Sequence, residues 1–519
     1  MPGEGEKELR HNIAKILRVA DDQITHLQLL RRAIDGRDGV RIVYTAAVSV
    51  KNEGAVLRRC RDRRVSPYKP QPDYQPPAAA ACDIPPVVVG AGPAGLFAAL
   101  VLAHAGLRPI LLERGNCVEQ RTQDVERFWS SGVLNSESNV QFGEGGAGAF
   151  SDGKLNTGTK DLRHRWILEQ LVSCGAPESI LIDAKPHIGT DYLHIALKAM
   201  RQKLLDLGCD IRFGHRLENI AVDAGQLTGI TVKNGDSVYS LPCRHLLLAL
   251  GHSARDTVEM LHAGGVAMEA KPFAVGVRIE HRQSDIDAVQ YKEYAGHPAL
   301  GAATYKLACH LPNGRSAFSF CVCPGGQVVA AASEQGRAVT NGMSEYARDK
   351  ENINGALLVN VTPDDFPDTH PLAGIAFQRK LEEDAFRLGG SNYAAPCQRV
   401  EDFLLRRPSQ TGGNVIPSYR PDAVWCDLHD CLPPFVSETL ELALPVLEQK
   451  LPGYAAPDAV LTAVESRSSS PVRIPRDETC QANIRGIYPC GEGAGYAGGI
   501  LSAAADGMRC AEQIIGGII

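Results

Sequence analysis

An α/β fold is predicted on three observations. Residues 87–115, VVVGAGPAGLFAALVLAHAGLRPILLERG, run as apolar strand, glycine turn, alanine-rich helix and a second strand closed by an acidic residue. Residues 220–250 hold three short strand patterns joined by tight turns, then the apolar run HLLLAL. Residues 486–515 repeat the order of strand, glycine turn and helix at the far end of the chain. Together these predict a Rossmann-type nucleotide-binding domain, interrupted by a mixed α+β domain and preceded by a small α/β N-terminal module. The expected division is 1–66 for the module, 67–84 for a Pro/Ala-rich linker, 85–265 for the first part of the binding domain with its β-meander, 266–464 for a substrate or cap domain, and 465–519 for the C-terminal part of the binding domain.

The first observation carries the chemistry. Gly90 permits the tight turn from strand to helix, Gly92 lets backbone approach a pyrophosphate, and Gly95 lets the helix pack on the sheet. With Pro93 and Ala94 they place phosphate at the positive end of a helix spanning 94–105. Glu113, eighteen residues beyond Gly95, stands near the offset at which a carboxylate meets a ribose hydroxyl, and Arg114 follows it at the AMP half. Fifty-one glycines make a bare GxGxxG weak, but here strand, helix and acid are all in place.

Composition bounds the rest. At 519 residues, 44% hydrophobic and 22% charged, the chain has room for two or three globular domains. Its net charge of -6 is uneven: the first 70 residues hold 15 Lys and Arg against 9 Asp and Glu. The N-terminal stretch MPGEGEKELRH lacks the basic and apolar regions of a signal peptide, and the uncharged run 96–107 is too short for a bilayer, so a cytoplasmic location without membrane contact is expected. Fifteen cysteines without regular spacing are taken as reduced thiols, and no Cys/His spacing suggests a metal.

In chain order, 12–18 is expected as a strand, 21–35 as a helix with Ile24, Leu27, Leu30 and Ile34 on one face, and 40–50 as a strand. The basic stretch 58–64 offers contact to a protein partner; nucleic acid is disfavoured because no aromatic recognition motif accompanies it. A helix is expected at 120–129. Residues 141–155, QFGEGGAGAFSDGKL, then suit a loop pressed against a flat ligand, with Gly145, Gly146, Ala147 and Gly148 along it and Lys154 at its end. A helix at 191–205 and a strand at 210–213 lead to the meander 220–223, 227–233 and 238–241, whose Asn234-Gly235 is a strong hairpin signal, and to the buried strand ending at Gly251. Strands are expected at 273–279, 317–322 and 327–332, and helices at 377–388 and 438–451.

Cys321 and Cys323 are the one close cysteine pair. In an extended strand ended by Pro324-Gly325-Gly326 both face one side, either into a cavity or as the small-residue face of a packed sheet, and a bridge between them lies at the limit of reach. The chain closes on Gly491, Glu492, Gly498, Gly499 and Ile500, where helix amides would stabilise negative charge on the N1–C2=O edge of a reduced flavin.

The runs VVVGAGPAGLFAAL, NVQFGEGGAGAFSDGKLNTG, FSFCVCPGGQVVAAASEQGRAVTNGMS and GEGAGYAGGI resemble the bacterial FAD-dependent dehydrogenases of the glutathione-reductase-like superfamily, over essentially 8–515. The resemblance implies non-covalent FAD. Glu492 stands where the superfamily usually has Asp. The function expected is an FAD-dependent oxidoreductase moving a hydride between flavin N5 and a small organic substrate. No second strand-GxGxxG-helix unit is present, so NAD(P)H, if used, docks transiently. A flavin-dependent isomerase and a flavin-binding sensor or scaffold acting through the N-terminal module stand as alternatives, and no catalytic residue is assigned.

Overall fold

The computed structural model describes residues 5–36, 39–80 and 82–518. At its centre is a five-stranded parallel sheet in the order Ile487–Pro489, Leu246–Leu248, Val87–Val89, Ile110–Glu113, Asp210–Phe213. Continuous apolar runs form the inner strands because both faces are covered, whereas the edge strand Asp210–Phe213 carries two charged residues and is partly exposed. Val88, Leu111 and Leu247 point to one side, into a core shared with the helices Pro93–His104, Arg163–Ser173, Gly189–Asp206 and Ile500–Ile518. Val87, Val89, Leu112, Leu246 and Leu248 point to the other, where the meander His215–Asp223, Gln226–Asn234, Ser237–Pro242 closes a separate core through Leu217, Ile220, Leu227 and Ile230. The period-two alternation of the strands thus separates helices from meander.

Two helices distant in sequence meet at the glycine turn. Gly507 of Ile500–Ile518 lies so close to Pro93–His104 that an added Cβ would be 2.1 Å from the carbonyl oxygen of Ala94. The C-terminal helix is thereby seated against the first turn of Pro93–His104, which brings the chain's two glycine-rich turns together.

Beyond residue 270 the chain builds a second sheet of eight strands, ordered Ala308–His310, Ser316–Ala330, Asn352–Val361, Phe273–Arg282, Val460–Glu465, Ala395–Arg399, Ala423–Trp425, with Thr340–Met343 paired to Ser316–Ala330. Helices Ala373–Leu388 and Pro434–Lys450 cover one face through Leu381, Leu440, Leu444 and Leu447. The other carries Ala274, Phe318 and Leu358 toward the binding domain.

Most expected elements appear with shifted ends; three readings are corrected. Residues 12–17 belong to a helix, Glu6–Leu17, which Arg18 caps in a left-handed conformation, and Ile13, Ala14, Ile16 and Leu17 turn inward at helical spacing. The expected helix over 21–35 is a short 3₁₀ turn followed by the strand Ile24–Asp35, paired antiparallel with Arg41–Val50. Register shifts at Ile24/His26 and Leu29/Arg31 break its alternation, which is why Ile24, Leu27 and Leu30 mimic a helical spacing. Third, Pro324-Gly325-Gly326 does not end a strand: Ser316–Ala330 continues through it with two bulges between Phe320 and Gly326. The N-terminal hairpin docks on the binding domain through Arg32, whose backbone exchanges hydrogen bonds with Ile182 and Ala184 and whose guanidinium pairs with Asp183 at 2.7 Å. In the basic stretch, Arg64 pairs with Asp62 at 2.6 Å.

A glycine inside a helix ordinarily gains about 1 kcal/mol of stability on replacement by alanine. At Gly507 the opposite is expected: Gly507→Ala forces the two helices apart and destabilises by about 1–3 kcal/mol in urea unfolding.

Candidate functional site

One cleft of about 730 Å³ runs between the parallel sheet's carboxyl ends and the open face of the second sheet. That volume is in the range of small-molecule and cofactor sites, and strand carboxyl ends are where open α/β sheets bind ligands. Its floor is the turn after Val87–Val89. Gly90 adopts φ 104°, and an added Cβ would lie 2.3 Å from the Ala249 carbonyl oxygen. Gly92 caps the helix at an ordinary φ of -77°, and an added Cβ there meets no protein atom closer than 3.7 Å. The fold itself therefore does not require glycine at 92, whereas a ligand lying against the turn would. Gly498 is alike, with nothing closer than the Glu492 carboxylate at 3.6 Å.

Two buried ions of opposite charge shape the loop over this floor. Glu113 accepts from the amide of Ala91 at 2.8 Å and from those of Gly115 and Gly143 at 2.9 Å each. A carboxylate offers about four acceptor sites, leaving one for a ribose hydroxyl. Arg121, fully buried on the helix Val118–Ser131, does the complementary job. Its Nε donates to the Asn139 carbonyl at 2.9 Å, Nη2 to Val140 at 2.9 Å, and Nη1 to Glu144 at 2.6 Å and Gly143 at 3.3 Å. Burial lowers its pKa to about 10, which leaves it charged near neutrality. Gly143 adopts φ 121°, and any Cβ there would strike the Arg121 side chain.

Of the residues expected from sequence, Gly90, Gly92, Pro93, Ala94, Glu113, Arg114, Gly146, Ala147, Gly148, Lys154, Gly251, Gly491, Glu492, Gly498, Gly499 and Ile500 all line the cleft. Gly95 and Gly145 stand behind its wall. Gly95 is a packing residue, since a Cβ would lie 1.8 Å from the Gly90 carbonyl oxygen, and the Gly145 amide is spent on Ala91 at 2.8 Å. Arg114 is bound in an ionic cluster with Asp256 at 2.8 Å and Glu137 at 3.0 Å and lies over the Phe142 ring.

Lys154 pairs with Asp152 at 2.9 Å, and Asp152 in turn binds Arg348 at 2.6 Å and Ser344 of the second domain. Burial works against the Lys154 charge, but the Asp152 carboxylate together with the Cys323 and Cys321 sulfurs outweighs it, so its pKa sits above the usual lysine range. Glu492 is pushed up to about 7 by burial, only partly offset by Lys271. The C-terminal turn is held by Asp506, which accepts the Gly491 amide at 2.8 Å and pairs with Arg476 at 2.6 Å.

Sequence reasoning missed Arg121, Asp152, Asp506, His252 and Arg467. His252 lines the cleft just after Gly251 and is bonded to Ser253 at 2.8 Å; burial, with Arg467 and Arg255 nearby, lowers its pKa to about 3 and keeps it neutral. Its place directly after a parallel strand was the available signal. Arg467 reaches the cleft from the second domain's exit and is fixed by Glu382 at 2.9 Å.

Residues 83–138 match an FAD binding domain, and residues 272–468 match the C-terminal domain of an FAD-dependent protein. Residues 2–51 match a domain of unknown function. An uncharacterized protein of Clostridium beijerinckii is 47% identical over 513 residues, spanning 98% of this chain and 95% of its own. Among solved structures, an E. coli quinol fumarate reductase is similar at 12% identity over 84% of this chain and 71% of its own, TM-score 0.37. A flavin-dependent brominase aligns at 12% identity over 84% and 80%, TM-score 0.38. A glycine oxidase from Bacillus cereus aligns at 12% over 84% and 95%, TM-score 0.35. At such scores the likeness says nothing of substrate. No helix among the described residues is long and apolar enough to cross a membrane.

Arg121→Met leaves the buried carbonyls of Asn139, Val140 and Glu144 without their donor, while that of Gly143 keeps the Gly146 amide. A loss of about 3–5 kcal/mol in stability is expected, together with loss of bound flavin, and Arg121→Lys should recover only part of either. In contrast, Gly92→Val should fold with near-parental stability and yet emerge colourless from purification.

Proposed function

The chain belongs to one family with the Clostridium beijerinckii protein, and from its match to an FAD binding domain and to the C-terminal domain of an FAD-dependent protein we propose that it is an FAD-dependent oxidoreductase transferring a hydride between flavin N5 and a small or medium organic substrate. The observation that carries the reading is the shared cleft, walled by both glycine turns of the binding domain and by the open face of the second sheet. When bound, FAD supplies the two-electron chemistry; the protein supplies binding, orientation and electrostatics.

The roles of the residues follow from their places. The Pro93–His104 helix start, with Gly92 and the remaining acceptor site of Glu113, takes the pyrophosphate and adenosine ribose. Gly498, Gly499 and the amide end of Ile500–Ile518 would hold the flavin ring, with Lys154, oriented by Asp152, supplying positive charge beside it. Both would favour an anionic reduced ring. On the opposite wall Phe318, Phe320 and Leu358 give an apolar face, with Asn341 and Arg467 as polar anchors for substrate. NAD(P)H serves as a transiently docking electron donor in this reading.

Purified protein should be yellow, and acid precipitation should release the colour into the supernatant; colour retained in the pellet would show covalent attachment. Anaerobic mixing with NADPH and with NADH then identifies the donor by which of them bleaches the flavin. Lys154→Met should lower the flavin reduction potential, and an unchanged potential removes Lys154 from the ring.

A further inference from the structure

One cluster in the cleft centres on Cys321, on the wall opposite the glycine turns. Between Phe320 and Gly326 the strand Ser316–Ala330 slips register twice against Asn352–Val361, and at the first bulge Cys321 adopts φ 39°. A side chain with a Cβ holds this left-handed conformation only where its surroundings enforce it, and such residues gather at functional sites. The bulge also changes the distance argument. In a straight strand the two cysteines would stand too far apart to bridge comfortably. Here the chain curls, and the Cys323 thiol donates back to the Cys321 carbonyl oxygen at 3.4 Å.

The two are not equivalent. Cys321 is half-buried and lines the cleft, whereas Cys323 is buried behind it. Two cations converge on the pair: Lys154 Nζ is 4.0 Å from the Cys323 Sγ, and Arg278 Nη2 is 3.8 Å from the same sulfur and donates to the Cys321 carbonyl at 2.9 Å. Arg278 is fully buried, and its Nε and Nη1 have no hydrogen-bond partner among the described residues. The nearest carboxylate, Glu465, stays 3.6 Å away. A buried guanidinium short of acceptors is a strong stabiliser of a neighbouring anion. In keeping with this, the Cys323 thiol, followed by Lys154 and Arg278, holds the Cys321 thiol well below the ordinary cysteine range despite burial.

We infer that Cys321 and Cys323 form a redox-active dithiol beside the flavin, with Cys321 the reacting thiolate and Cys323 the resolving thiol. The inference rests on the FAD reading of the cleft. In the oxidative direction the Cys321 thiolate and the Cys323 thiol together lose two electrons and one proton as an S–S bond forms. Bound oxidised FAD would supply the acceptor for those electrons and that proton, becoming the anionic reduced form, so charge and hydrogen balance. The reverse step breaks the S–S bond and returns the thiolate and thiol. The pair would act as a second two-electron store next to the flavin.

The test is an anaerobic reductive titration of the FAD-bound full-length protein after treatment with diamide, alongside Cys321→Ser and Cys323→Ser. Wild type should take up twice as much dithionite per flavin as either variant. Its peptide containing both cysteines should resist alkylation and be lighter by two hydrogens in the oxidised protein. In untreated protein, Cys323→Ser should keep, and Cys321→Ser lose, a long-wavelength thiolate-to-flavin absorption band. Equal dithionite uptake by all three proteins, with both cysteines freely alkylated after diamide, overturns the inference while a flavin spectrum keeps the FAD reading intact. A protein that binds no flavin fails the FAD reading instead, and the alkylation pattern of the diamide-treated apoprotein then decides whether the thiols pair.

Discussion

The structure depends on a pair of buried ions that never touch. Glu113 gathers three backbone amides, from Ala91, Gly115 and Gly143, and Arg121 gathers carbonyls from the same loop. A glycine-dense segment has high conformational entropy and few side chains of its own to order it. Here the order comes from two side chains that satisfy the loop's polar groups from within. The arrangement also fixes the floor to the lid, since Ala91 belongs to the nucleotide turn and Gly143 to the loop above it. Because a charge without its partners is costly to bury, the ions and the loop shape stand or fall together.

A second constraint joins the ends of the binding domain. The chain leaves after the meander, builds an eight-stranded sheet, and returns at Ile487–Pro489 to the edge of the parallel sheet. Gly507 against Ala94 and Asp506 against Gly491 then lock the second glycine turn onto the first. The excursion is what supplies the opposite wall of the cleft, including Asn341, Arg467 and Cys321. Asp152, which carries Lys154 on one side and Arg348 and Ser344 on the other, ties loop to excursion.

What was legible in the sequence is what local chemistry determines. Gly90 and Gly95 are glycines for reasons contained within a few residues of turn and helix, and Asn234-Gly235 makes its hairpin with no outside help. The N-terminal module was inverted in part because two register shifts in Ile24–Asp35 erased the period that marks a strand. Arg121 and Asp506 sit on amphipathic helices, where a charged residue normally faces water; nothing nearby in sequence shows that their partners arrive from a loop or a distant turn. Cys321 was legible as half of a pair, but its left-handed backbone arises from strand pairing and has no local signature.

In the proposed function, the cradle formed by Gly92, Glu113 and Arg121 would hold the adenosine diphosphate half of FAD. Deflavinated protein titrated calorimetrically with FAD and with FMN tests this directly, because FMN carries the same ring system without the AMP half. Binding of FAD at least about 100-fold tighter than FMN, a difference near 2.7 kcal/mol, is predicted. Equal affinity for the two would contradict it.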